Sequence, residues 1–562
     1  MHRALLRTIV AGSLLTALAA CQSRPAVEPA TLIVHNARVY TARDTQPDAE
    51  AVAVRGDRIV LVGSNASALA LRGDKTRVID AKGATLLPGL QDAHGHFTGL
   101  GASLQALHLR GTTSYDQIVE MVAERAAKAR PGEWILGRSW DQNDWAVKDW
   151  PTHEKLTAVS PNNPVYLTRV DGHAALVNKA ALDAAGISKA TQDPAGGRLI
   201  RDANREPVGV LIDNAQGLVA SKIPPISSEQ LDEQILLADG ETRRLGLTMV
   251  HDAGTDPATV EAYKRLIDAG KLKTRLYVML RGSMATLEPE FKKGPLINYA
   301  EHRLAVRAIK IVADGALGSR GAALLAPYAD EPSNTGLMTT PPQEIYAQTL
   351  AASRAGFQTC VHAIGDRANR ITLDTFERVQ REVPGSRELR MRVEHAQILA
   401  APEISRFARL NVIASMQSTH ATSDMPWVAT RLGSERTAAG AYVWQKLMKT
   451  GVVLANGSDF PVEEPNPLLG FYAAITRQDP SGQPEGGWMA DERMSRLEAL
   501  KSFTSNAAYA AHSEKDLGSI EAGKLADMVL LDRNIMTVEP RDILTTNVIV
   551  TIVGGEVSYE KK

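Results

Sequence analysis

The chain has 562 residues, 44% hydrophobic and 23% charged, an ordinary globular composition with ample material for a large core. Lys and Arg number 63 against 64 Asp and Glu, a formal charge of −1 that carries no nucleic-acid footprint. Beyond residue 20 no apolar run approaches the roughly 20 residues of a membrane-spanning helix.

The first residues, "MHRALLRTIVAGSLLTALAAC", have Arg3 and Arg7, then a short apolar stretch, then small residues. That order predicts a secretory signal rather than a membrane span. Leu18-Ala19-Ala20-Cys21 resembles a bacterial lipobox, in which Cys21 is the acylated first residue of the mature protein; the alternative is a plain signal with an incidental cysteine. Residues 1–21 are thus read as a lipoprotein signal and 22–30 as a tether. Gln22 after the cysteine resembles the pattern sorted to the outer membrane, so the expected location is the bacterial cell envelope, lipid-anchored and facing the periplasm. Acylation of Cys21 would leave Cys360 without a disulfide partner in the chain.

After the tether, "TLIVHNARVYTA" and "AVAVRGDRIVLVGS" alternate apolar and polar residues around a Gly-Asp turn, a hairpin pattern. "GKLADMVLLDRN" and "NVIVTIVGGEVSYE" match it near the C-terminus, which predicts one β domain from residues 31–85 and 515–562. Between them, residues 86–514, the rhythm changes. "LLPGLQDAHGHF", "TMVHDAG", "RLYVML", "AVRAIKIVADG", "FQTCVHAIGD", "MRVEHAQ", "NVIASMQ" and "GVVLANGSDF" are short apolar runs separated by helical stretches. Continuous apolar strands alternating with helices imply a parallel sheet covered on both faces, and eight units is the count of a TIM-type (β/α)8 barrel. Residues 100–240 break the rhythm and hold Trp134, Trp140, Trp145 and Trp150; they predict an insertion subdomain over the barrel mouth.

Polar residues end most of these runs. His94 and His96, two apart and so on one face of an extended segment, end the first; Lys310 lies in the fourth, His362 in the fifth, His395 in the sixth and Asp459 ends the eighth. Taken singly each has a bland reading: a histidine bonded to backbone, a lysine snorkelling outward, an aspartate capping a helix. Their order along the strands is the specific signal, because the C-terminal strand ends of such a barrel converge on one site.

In that order, and in "DGHAALVN", "KIVADGALGSRGA", "VHAIGDRA", "VEHAQ" and "NGSDFPVEEPNPLLG", the chain resembles the amidohydrolase superfamily of metal-dependent hydrolases. The closer likeness is to its YtcJ-like branch, which includes N-substituted formamide deformylases, and it spans residues 30 to 560. The resemblance implies a distorted barrel with a composite β-sandwich, and two divalent metal ions. His94, His96 and Asp459 would hold the more buried ion, His362 and His395 the second, with Lys310 bridging as a carbamate formed with CO2. The alternative is an unmodified Lys310 and a single ion. Imidazole and carboxylate ligands suit zinc most readily, with iron, manganese or nickel open to the same set.

The implied activity is hydrolysis of a non-peptide or N-acyl C–N bond of a small molecule by metal-activated hydroxide, with Asp459 as acid–base group. An esterase or lactonase on the same scaffold, and a catalytically silent binding or regulatory lipoprotein, are the alternatives. His173 would contact substrate or steady a developing oxyanion, or else anchor the lid. Arg320 would reach a substrate carbonyl or carboxylate, or else brace its loop. Trp140, Asp141, Asp171 and Gln417 are candidates for the substrate pocket, with Trp145 and His420 near them. Asp92, Asp252 and Asp366 are expected to orient ligands or cap helices. Dimers are common in the superfamily, and the sequence carries no interface signal of its own.

Overall fold

The computed structural model describes residues 28–43 and 48–562, so Cys21 and the leader lie outside the described residues. Among the described residues no helix is long and apolar enough to cross a membrane.

The eight apolar runs form eight parallel strands: β1 (Leu90–Gly95), β2 (Leu247–Thr255), β3 (Arg275–Leu280), β4 (Leu304–Val312), β5 (Gln358–Ala363), β6 (Arg392–His395), β7 (Ile413–Gln417) and β8 (Leu454–Gly457). Neighbours in sequence are neighbours in space. The ring closes just past β8, where Asp459 N donates to His94 O at 2.7 Å and His96 N to Phe460 O at 2.8 Å. Asp92 ties the same seam: its carboxylate accepts from His94 N, Ser458 N and Ser458 Oγ. Register shifts in the β1–β2 and β2–β3 pairings make the barrel irregular.

The flanking helices carry the signals that specify them. In Pro257–Asp268, which follows β2, Asp256 caps the first turn through Thr259 N and Pro257 occupies the first position. Val260, Tyr263, Leu266 and Ile267 then recur at helical spacing and bury one face on the barrel wall.

Strands from both termini build a β-sandwich. One sheet joins Leu32–His35, Ala51–Arg55, Arg58–Gly63 and Arg77–Asp80; the other joins Arg38–Tyr40, Asp48–Ala49 and Thr85–Pro88 to Met528–Leu531, Val548–Val553 and Glu556–Glu560. Val34, Val54, Leu86, Leu530 and Ile552 pack together between them.

The insertion after β1 is a six-stranded sheet running from Leu107–His108 to Pro207–Asp213. Trp140 and Trp145 lie in its own core with Ile118, Leu156 and Leu167. Residues 228–240 belong to a barrel helix, Ser228–Arg244, which packs on Phe97–Ser103; a Cβ at Gly101 would collide with the backbone of Gln234. The insertion sits on the C-terminal face: Arg110 donates to Val462 O, Arg138 contacts Pro461 O and Asn214 reaches Thr339 O.

Candidate metal centre

The "HGH" spacing has a packing cause as well as a chemical one. Gly95 faces the ring of Phe460, which a Cβ would strike, so glycine lets the eighth strand end close against the first. His94 is fully buried and His96 about one-third exposed, at ring-centroid separation 5.7 Å. His395 lies 4.8 Å from His94 and 4.5 Å from His362, again between centroids. His96 Nε2 is 2.9 Å from Asp459 Oδ1, and Lys310 Nζ is 3.0 Å from His94 Nε2. The six residues from five strands therefore meet at one place. Within it, ligand atoms of His94, His395 and Asp459 all lie within 4.8 Å of one another. This triad takes one residue from the second expected ligand group and two from the first.

His395 (φ 72°) and Asp459 (φ 59°) occupy the left-handed region, uncommon for residues other than glycine. Such backbone costs on the order of 1–3 kcal/mol and persists where surroundings over-determine it.

The electrostatics suit cation ligation. Burial holds His94 down at about 4, and burial with neighbouring cationic groups pushes His362 and His395 well below the ordinary imidazole range. All three are neutral at pH 7, the form that ligates. Burial raises Asp459, but its neighbours His96, His94 and His395 outweigh this and hold it well below the usual carboxylate range. Lys310 is lowered to about 8, chiefly by burial, with Glu394 and Asp459 opposing. The buried Nε2 atoms of His362 and His420 have no hydrogen-bond partner among the described residues. Buried imidazole nitrogens without hydrogen-bond partners, gathered near a carboxylate, fit a divalent cation.

A buried chain sets the orientation of His94. Its Nδ1 bonds Glu394, which leaves Nε2 with the lone pair facing Lys310. Glu394 is in turn ion-paired to Arg392 at 2.7 Å, both side chains at 0% exposure. His395 Nδ1 donates to Gln417 Oε1 at 2.7 Å. Such partners fix the tautomer and raise ligand basicity. Arg392 and Glu394 went unnoticed in the sequence, although two charges at alternate positions of an apolar strand place both inside the barrel.

The insertion delivers His173. Its ring stands 5.1 Å from that of His362, and Nδ1 donates to Asp213 at 2.6 Å. Burial lowers His173, but the Asp213 bond and the charges of Asp213, Asp171 and Asp314 raise it overall. Asp213 nestles against Gly315 and Gly321, where a Cβ would collide with its carboxylate, so part of "GALGSRGA" serves this contact. Asp314 accepts from the backbone of Ala323, Ile364 and Gly365 beneath His362.

Two cavities meet at these histidines. The larger, about 590 Å³, is lined by Arg138, His173, Arg281 and Lys310 among others. The smaller, about 290 Å³, reaches Asp141, His420, Asp424 and Trp427. Asp171 borders both, and both Asp141 and Asp171 are held by Arg169.

Three expected site residues lie elsewhere. Arg320 pairs with Asp330 at 2.9 Å and with Glu331, which braces its loop and turns it from both cavities. Trp140 is the insertion's core, its Nε1 donating to Leu167 O, because an indole that large is the cheapest way to fill a small sheet's interior. Gln417 is buried behind His395 and lines neither cavity. Asp252 accepts from Phe97 N and Tyr263, and Asp366 from Leu325 N, so both act as braces.

A barrel whose strand ends gather such ligands is the architecture of metal-dependent hydrolases. The profile of the amidohydrolase family matches residues 77–559, and the chain belongs to that family. It is 36% identical to Protein LONG AFTER FAR-RED 3 of Arabidopsis thaliana, over 95% of this chain and 92% of that one. It is 33% identical to YtcJ of Bacillus subtilis, over 94% and 99%. With N-substituted formamide deformylase of Arthrobacter pascens it shares 27% identity over 94% and 98%. The structure of a metal-dependent hydrolase from Pyrococcus furiosus superposes with TM-score 0.70 at 28% identity, over 90% of this chain and 100% of that one.

Proposed function

We propose that the protein hydrolyses a C–N bond, other than a peptide bond, of a small amide-type molecule at a two-metal centre. The observation that carries the reading is the cluster itself: His94, His395 and Asp459 within 4.8 Å, with Lys310 Nζ against His94. The likeness to a formamide deformylase over almost the whole chain supports an amide as the bond attacked.

In this reading His94, His96 and Asp459 would hold one ion and His362 and His395 the other, with Lys310, as a carbamate, the ligand they would share. A lysine held at about 8 is about one-tenth neutral at pH 7, far more than an ordinary lysine, and reaction with CO2 requires that neutral amine. Zinc fits the donor set best. Divalent cations bound there supply Lewis acidity and lower the pKa of water. Asp459, beside His96 and His420, accepts the water proton and returns it to the departing nitrogen. His173, its Nδ1 hydrogen-bonded to Asp213 and its pKa raised by that carboxylate, faces the developing oxyanion. Arg392 and Glu394 hold the His94 ring, while the insertion narrows access for bulk water.

Chelation tests the assignment. Stripping with dipicolinate is expected to abolish turnover of an N-acyl amine panel, and zinc to restore it. Activity that survives complete metal removal refutes the reading. At the N-terminus the proposal is lipid attachment through Cys21 in a bacterial envelope; an unacylated, unprocessed chain by mass spectrometry would refute that.

A further inference from the structure

We propose that Arg281 makes the larger cavity a seat for a substrate carboxylate, so that the enzyme's amide is one bearing an acid group close to the bond it cleaves, as in an N-acyl amino acid. The inference rests on the hydrolase reading for the bond and on separate observations for the acid.

Arg281 directly follows β3, on the C-terminal face where the site lies. It flanks Gly254 of β2 (φ 120°), where a Cβ would lie 3.2 Å from Arg281 Cδ and 3.4 Å from Lys310 Cγ. The arginine stem thus runs beside the lysine, within a few atoms of the reacting centre. Its head is exposed to the cavity yet surrounded by enough protein that desolvation lowers its pKa.

No carboxylate answers it. Arg281 has no ion pair and no side-chain hydrogen bond among the described residues. Other arginines around the site are paired: Arg392 with Glu394, Arg169 with Asp141 and Asp171, Arg110 with Glu463. Arg138, on the same cavity, contacts only Pro461 O at 3.4 Å and likewise has no ion pair among the described residues. The cavity's acids are already engaged: Asp171 by Arg169, Asp213 by His173, Asp459 by His96, and Glu344 by Gln348. Two guanidinium groups without a carboxylate partner among the described residues, in a concave, partly desolvated wall, recognise an anion, and a planar fork matches a carboxylate.

The smaller cavity is the more acidic of the two: Asp141, Asp144, Asp424, Glu463 and Asp479, besides Asp171 and Asp459 that border both cavities, stand against Arg110 and Arg169. An anionic group is therefore directed to the larger cavity. Nearness to Lys310 puts the acid next to the scissile amide rather than at the end of a long chain.

The test pairs N-benzoylglycine with its uncharged counterpart N-benzoylglycinamide. Calorimetric titration and product release are followed on the metal-loaded parent, Arg281→Gln and Arg281→Lys. The parent is expected to prefer the acid by roughly 10- to 100-fold in affinity, or in KM where it turns over, the range for hydrogen bonds to a charged group. Arg281→Gln should erase the preference and Arg281→Lys keep part of it. No difference between acid and amide in the parent overturns the proposal. So does an Arg281→Gln protein that weakens both equally, the mark of a role confined to steadying Lys310. Preferential binding without product in any case removes the hydrolase reading and leaves the carboxylate seat; turnover without preference does the reverse.

Discussion

Glu394→Gln probes the part of the centre that no ligand count reveals. The isosteric change keeps an acceptor near His94 Nδ1 but leaves Arg392 as a buried charge without a counter-ion. The pair stands at 2.7 and 3.0 Å with both side chains at 0% exposure. At an effective dielectric constant of about 20, unit charges some 3 Å apart interact by about 5 kcal/mol. Breaking a buried pair from one side costs about 3–5 kcal/mol in measured cases, consistent with that figure. Arg392 keeps its bonds to Ala93 O and Ser415 Oγ, so the lower half of the range is expected. Loss of the charge behind His94 should also weaken metal binding about tenfold. Urea unfolding of the metal-free protein reads the first quantity and chelator competition the second. Replacing both residues, Arg392→Met with Glu394→Leu, should recover most of the stability but not the metal affinity. A Glu394→Gln protein within about 1 kcal/mol of the parent and with unchanged affinity would refute the reasoning, since the loss expected of a broken buried ion pair is several times larger.

Three further outcomes follow from the geometry. His512 is held at about 4 by burial and by Arg307 and Arg390, against about 6.5 unfolded, so the unfolded chain binds the extra proton between those values. Its contribution is present above pH 6.5 and lost as pH falls, about 2 kcal/mol by pH 5; His512→Gln should flatten that part of the stability–pH curve, and an unchanged slope contradicts it. Arg320→Ala, which removes a loop brace shared with Arg431, should cost under about 1 kcal/mol and leave kcat/KM within about threefold; a hundredfold loss would return Arg320 to the site. Trp140→Ala should destabilise by about 3–5 kcal/mol through the insertion core, while the folded fraction keeps its KM; a raised KM with unaltered stability would put the indole back in the pocket.

The barrel was legible because a doubly covered parallel sheet needs strands apolar on both faces, and such runs stand out. The ligands were legible for the same reason: His94, Lys310, His362, His395 and Asp459 interrupt apolar runs at comparable points. What stayed hidden depends on pairing across long separations. Asp213 stands 40 residues from His173, and nothing local marks it as the partner. Arg281 reads as a cation at a strand end, and only the placement of every carboxylate around it shows that it is unanswered. Trp140 and Arg320 misled in a common way: large or charged side chains in an insertion or loop serve that element's own core and bracing before any ligand. The insertion's six strands were invisible as strands, since they are short and mix parallel with antiparallel pairing.

Metal content tests the central claim most directly. The chain from residue 22, with Lys310→Ala and His362→Ala, would be equilibrated with zinc and analysed by plasma mass spectrometry. About two ions per chain in the parent, falling in both variants together with amide hydrolysis, is the predicted result. A parent that binds no metal, or that hydrolyses amides equally well without it, would contradict the account.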